Sequence, residues 1–153
     1  MPSPKMRNNP RTVYDVEVVV LIDSTIWKTY SSLQGSSDNR MNQNATTRMI
    51  RSYFSHIING VNMRYQAIED NSISINIFLR GFVIFKTIND FPHKRSKEIS
   101  RNGRTLIEVE NYLIDVHDWD INNGSVSLPP YDHAMLFTRH DLYKDRRSIC
   151  LYI

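Results

Sequence analysis

Only one cysteine, Cys150, stands in this chain of 153 residues, so no disulfide can close within it. Taken alone, that fits a reducing compartment. Two N-glycosylation sequons, Asn44-Ala45-Thr46 and Asn123-Gly124-Ser125, fit a secreted chain instead, and composition leaves the compartment open. Glycine is scarce as well, at five residues, and none lies between 23 and 34. The turn after the first apolar run is therefore not a glycine-rich phosphate loop. No window holds the ~20 apolar residues of a membrane-spanning helix. The opening "MPSPKMRNNPRT" has charges and prolines but no apolar stretch, so it does not read as a secretory signal. Five histidines are present without any H-E-x-x-H.

Neither sign of charge dominates. Nineteen Lys and Arg against sixteen Asp and Glu leave a net charge of +3, too little to imply nucleic acid unless it is focused. The one focus is "HKRSKEISRNGR" (93–104), which reads as a solvated loop. The expected partners therefore include no nucleic acid and no membrane span. A hydrophobic fraction of 41% and a charged fraction of 23% are those of an ordinary globular protein, and the length suits one domain with a real core. Residues 1–13 read as a flexible segment and 14–153 as the domain.

The first strong element is "YDVEVVVLID" (14–23), a β-branched run that predicts a strand buried on both faces, as in a parallel sheet. "SSLQGSSDNRMNQN" (31–44) reads as a surface loop. In 45–68, Ile50, Phe54, Ile57, Ile58, Val61, Tyr65 and Ile68 recur at helical steps, with Asn44 or Thr46 as candidate caps. Gly60 weakens that helix by roughly 1 kcal/mol relative to Ala, which points to a close packing contact there. "SISINIFLRGFVIFKTIND" (72–90) reads as a long strand, broken at Arg80-Gly81 where a bulge or twist is expected. A basic loop (91–104) leads to a second helix over 105–119, with Leu106, Val109, Leu113 and Val116 as its apolar stripe. "HAMLFT" (133–138) reads as a third strand. The order strand–helix–strand–helix–strand predicts an α/β class with helices against a largely parallel sheet and right-handed crossovers.

"PPYDHAMLFTRHDLY" (129–143) sets two histidines beside two aspartates. In one extended strand His133 and His140 face opposite sides and lie roughly 23 Å apart; on a helix they lie about 10 Å apart. Neither spacing lets both bind one ion. His117-Asp118 and His140-Asp141 read as solvated polar pairs, and His56 as a boundary histidine. Asp23-Ser24-Thr25 closes the first strand, where α/β proteins place many sites. Trp27 stands where a D-x-S-x-S metal motif needs serine, so the triplet reads as turn and capping residues. Cys150 with a remote histidine is too thin a basis for a cysteine nucleophile.

Several stretches taken in order resemble the reprolysin/ADAM-type zinc metalloproteases of the metzincin group, especially the salivary enzymes of blood-feeding arthropods. "VEVVVLID" resembles the first strand of that family, and "VNMRYQAI" the end of its first long helix. "INIFLRGFVIFKTIND" resembles its second strand, with Gly81 at the family glycine and Phe85 where tryptophan is common. "TLIEVENYL" resembles its second helix, though Val109 and Tyr112 replace the usual Phe and Trp. "YDHAMLFTRHDLY" resembles its third strand and is the closest single match. The resemblance spans about 14–143.

That resemblance implies a metzincin-like fold, a zinc-dependent endopeptidase family and a secreted, extracellular setting acting on proteins or peptides. It also implies a structural calcium held by Glu17 and Asp132, whose hard oxygens suit that ion, and it makes neither His133 nor His140 a zinc ligand. The family chemistry resides in H-E-x-x-H-x-x-G-x-x-H, where three histidines hold zinc and the glutamate is general base. This sequence carries none of it, so the zinc expected of the complete domain has no ligands here. No catalytic residue is assigned, and the fold is expected to be incomplete at its C-terminus. A second reading is a non-catalytic secreted binding or decoy domain derived from that fold, with "RRSICLYI" as a closing strand. A third is an unrelated nucleotide- or nucleic-acid-binding α/β domain.

Overall fold

The computed structural model describes residues 11–34, 39–68, 72–90, 98–101, 104–122 and 128–143. Strand β1 (Thr12–Ile22) is the centre of a three-stranded sheet. It pairs in parallel with β2 (Ile73–Ile84) on one side and β5 (His133–Phe137) on the other. Helices α1 (Ser24–Ser32) and α2 (Asn39–Gln66) follow β1, and α3 (Val109–Asn122) precedes β5. A second small sheet, in the order β3-β4-β6, joins β3 (Glu98–Arg101), β4 (Arg104–Glu108) and β6 (Asp141–Tyr143). The class is α/β with a parallel sheet and three helices. None of the helices is long and apolar enough to cross a membrane among the described residues.

The β1 run is buried from Val18 to Ile22 because both faces of the sheet are covered. Val19 and Leu21 pack with Ile107, Tyr112, Val116 and Trp119 on the α3 side. Val20 and Ile22 pack with Trp27, Ile50, Phe54 and Ile58 on the α1–α2 side. Alternate side chains of one strand thus feed two cores, the period-2 consequence of the pleat.

The register between β1 and β2 shifts at one point. Val18 pairs with Leu79 and Val19 with Gly81, which leaves Arg80 as the extra residue of a bulge. The expected break at Arg80-Gly81 is there.

Several boundaries differ from the sequence reading. Helix α2 begins at Asn39, not 45, so part of the expected surface loop is helical and Asn44 and Thr46 lie inside the helix instead of capping it. Thr46 is fully buried, and its hydroxyl donates to Asn42 Oδ1 at 3.1 Å. Tyr65 and Ile68, placed on the apolar stripe by spacing, are exposed; Ile68 lies beyond the helix end. Gly60 has no packing contact, since a Cβ there would meet nothing within 4 Å.

The second helix starts four residues later than expected, because 104–108 is strand β4. Glu108 ends that strand and caps α3: its carboxylate accepts the Glu110 N–H at 3.2 Å and the Asn111 N–H at 2.7 Å. The buried face of α3 is Tyr112, Asp115, Val116 and Trp119, whereas Leu113 is exposed. Helix α1 and the β3–β4 hairpin have no counterpart in the sequence reading. β1 begins at Thr12, inside the segment read as flexible.

Candidate functional site

Two polar clusters flank β1, one at its middle and one at its C-terminal end. The first contains the residues singled out for calcium. Asp132 sits just before β5, and its N–H donates to the Glu17 carbonyl at 2.8 Å. Its Oδ2 accepts the Glu17 N–H in return, at 2.9 Å. The Glu17 carboxylate is paired with the guanidinium of Arg80, the residue that the β2 bulge leaves outside the ladder. The structure therefore brings Glu17 and Asp132 together, with a cation of the chain's own already on one of them.

Asp132 thus meets the Glu17 backbone, while the Glu17 carboxylate meets Arg80; calcium takes hard oxygens of the carboxylate kind. A six- to eight-coordinate ion needs more than these two side chains. Among the described residues no group of three or more His, Cys, Asp and Glu is placed to hold a metal ion.

The second cluster centres on Asp23, which is 2% exposed. Asp23 Oδ1 accepts the N–H groups of Thr25 and Ile26 at 3.0 and 3.2 Å and the Thr25 hydroxyl at 2.5 Å. That is the N-cap of α1, as the sequence implied for this turn. Asp23 Oδ2 accepts the Tyr112 hydroxyl at 3.2 Å and the Thr138 hydroxyl at 2.5 Å. One carboxylate thus ties the ends of β1 and β5 to α1 and α3.

His140 lies beside it and is not the solvated residue expected: its side chain is 13% exposed and stacks edge-on to Tyr112. Its Nε2 is 3.7 Å from Asp23 Oδ2, beyond hydrogen-bond reach. Burial, then the Asp23 charge, push the Tyr112 phenol well above its ordinary value of 10.0. With both Asp23 oxygens already accepting several donors, the cluster is built to hold elements together and has no lone pair aimed at a substrate.

Above this knot, α1, α2 and the end of β5 line an open cavity of about 510 Å³. Tyr30, Tyr53, Phe54 and Phe137 form its wall, and Arg139 stands at its mouth. A second cavity, about 450 Å³, lies under the far end of α2 and touches Asp132, His133 and Tyr65.

The remaining sequence candidates lie apart from both clusters. Asn44 is exposed on α2. His117 is largely exposed, and His56 is exposed with its Nδ1 2.7 Å from the Ser52 carbonyl. Asn123, Cys150 and residues 91–97 of the basic run lie outside the described residues. Sequence reasoning missed Tyr112, Thr138 and Arg139, which stand in unremarkable local contexts and acquire their roles through contacts with Asp23, Thr25 and Thr29. No protein-family model, curated protein or solved structure matches this chain.

Proposed function

We propose that this chain supplies the amino-terminal scaffold of a secreted zinc metalloendopeptidase catalytic domain of the reprolysin type. The observation that carries this reading is the reciprocal backbone and side-chain pairing of Glu17 with Asp132. These are the two residues that the family resemblance makes calcium ligands. The parallel order β2-β1-β5, with α1 and α2 on one face and α3 on the other, supports it further.

Within that reading the chain's own residues build and stabilise the sheet, and none of them performs the hydrolysis. Peptide-bond cleavage by zinc-activated water belongs to H-E-x-x-H-x-x-G-x-x-H, which this sequence does not contain. The described residues offer no fit for zinc, so no catalytic step is assigned to them. Calcium fits only as an ion that draws two donors from Glu17 and Asp132 and the rest from elsewhere. Arg80 competes with it for the Glu17 carboxylate, so a weak affinity, roughly that of millimolar extracellular sites, is expected.

Thermal unfolding with and without about 10 mM calcium tests this. Calcium is expected to stabilise the chain by on the order of 1 kcal/mol and magnesium to do so less. The double variant Glu17→Gln, Asp132→Asn is expected to lose the difference. An equal response in the double variant, or none in the parent, removes the observation that carries the reading. The chain alone is expected to cleave no quenched peptide; zinc-dependent cleavage by it overturns the reading outright.

A further inference from the structure

The cavity between α1, α2 and the end of β5 has a feature that the scaffold reading does not use. Four aromatic rings run along it in series. Tyr30 and Tyr53 are 6.1 Å apart between centroids, Tyr53 and Phe54 5.1 Å, and Phe54 and Phe137 4.7 Å. The volume, about 510 Å³, falls in the range of pockets that take small organic molecules. Its place, outside the carboxyl ends of parallel strands β1 and β5, is where open α/β sheets bind ligands.

One charged side chain lines this cavity, and it is a cation. Arg139 donates from its guanidinium to the Thr29 hydroxyl at 2.7 Å, and its backbone N–H donates to the Thr25 hydroxyl at 3.0 Å. One hydrogen bond thereby holds the guanidinium at the exposed edge of the cavity and a second holds its backbone, and no carboxylate among the described residues pairs with it. The Thr138 hydroxyl is committed to Asp23 and offers nothing to a ligand. Burial, then the neighbouring Tyr53, raises the Tyr30 phenol above its ordinary 10.0. An apolar aromatic slot closed by one planar, bidentate cation selects a flat apolar body with a single carboxylate head. A cation is repelled there, and a neutral molecule forgoes the charge-assisted pair.

We propose that this cavity is a binding site for a small aromatic carboxylate, its ring against the Tyr53–Phe54–Phe137 series and its head on Arg139. The site is independent of the endopeptidase reading and would stand if that reading fell. Titration calorimetry on the whole chain tests it, with naphthalene-2-carboxylate and the uncharged naphthalene-2-carboxamide as the paired probes.

The carboxylate is expected to bind about tenfold or more tightly than the amide, as a charge-assisted pair to a fixed guanidinium implies. Arg139→Gln is expected to bring the carboxylate down to the level of the amide while leaving the amide unchanged. Arg139→Lys, which keeps the charge without the fork, is expected to fall between. Equal binding of the two probes by the parent chain overturns the proposal without recourse to any variant. So does a preference that survives Arg139→Gln in a folded protein, or no binding of either probe at millimolar concentration.

Discussion

The Tyr112 hydroxyl donates to the buried Asp23 carboxylate at 3.2 Å across 89 positions of sequence, and so joins α3 to the junction of β1 and α1. The bond constrains how stability depends on pH. Burial and the Asp23 charge hold the phenol protonated in the folded chain to a higher pH than in the unfolded one. A group raised in this way contributes stability that is fully present below its unfolded value, 10.0, and is lost as pH climbs through the folded value. Chemical denaturation is therefore expected to show stability falling above pH 10. Tyr112→Phe is expected to cost about 1–2 kcal/mol at neutral pH and to flatten that alkaline decline.

Asp23 itself does more than Tyr112. Replacing it with alanine removes the α1 cap and strands three hydroxyls and two N–H groups that now converge on it. Leaving several buried donors unpaired costs on the order of 3 kcal/mol or more. Urea unfolding of Asp23→Ala is expected to show that loss, and a value under about 1 kcal/mol would contradict the role given to the knot.

Gly60 lies inside α2 with open space where a Cβ would be. Gly60→Ala is expected to stabilise the chain by roughly 0.5–1 kcal/mol, the difference in helix propensity with nothing to offset it. The midpoint of thermal unfolding should rise; a fall would mean that the glycine meets a contact absent from this structure.

Phe85 is nearly fully buried just beyond β2, where its ring meets Trp119 of α3 edge-on at 5.3 Å. Phe85→Ala should cost about 3–5 kcal/mol. Phe85→Leu, which retains most of the volume, should cost much less. The pair of values, read from denaturant midpoints, separates packing from ring geometry.

What could be read from the sequence divides along physical lines. Val18–Ile22 and the Ile50, Phe54, Ile58 stripe were legible because burial imposes a period on adjacent residues. The bulge at Arg80-Gly81 was legible from a glycine interrupting an alternating run. Helix α1 was not, because nine residues with a mixed face form a helix here only when Asp23 caps them and the sheet receives Ile26 and Trp27. Thr105-Leu106-Ile107 merged with the helix that follows, since the same apolar residues serve either period and only pairing with β3 and β6 decides. The Asp23 cluster joins Tyr112 and Thr138 from positions 89 and 115 residues away. No spacing rule reaches so far. Glu17 and Asp132 were set side by side only through family resemblance, and the Arg80 that meets the Glu17 carboxylate depends on the bulge.

The most direct measurement of the central claim is to read the messenger in frame past the codon for Ile153. If the chain is such a scaffold, H-E-x-x-H-x-x-G-x-x-H follows within the same open reading frame and supplies the zinc ligands and general base. A stop codon directly after Ile153 would contradict it, and the non-catalytic binding reading would become the one to test.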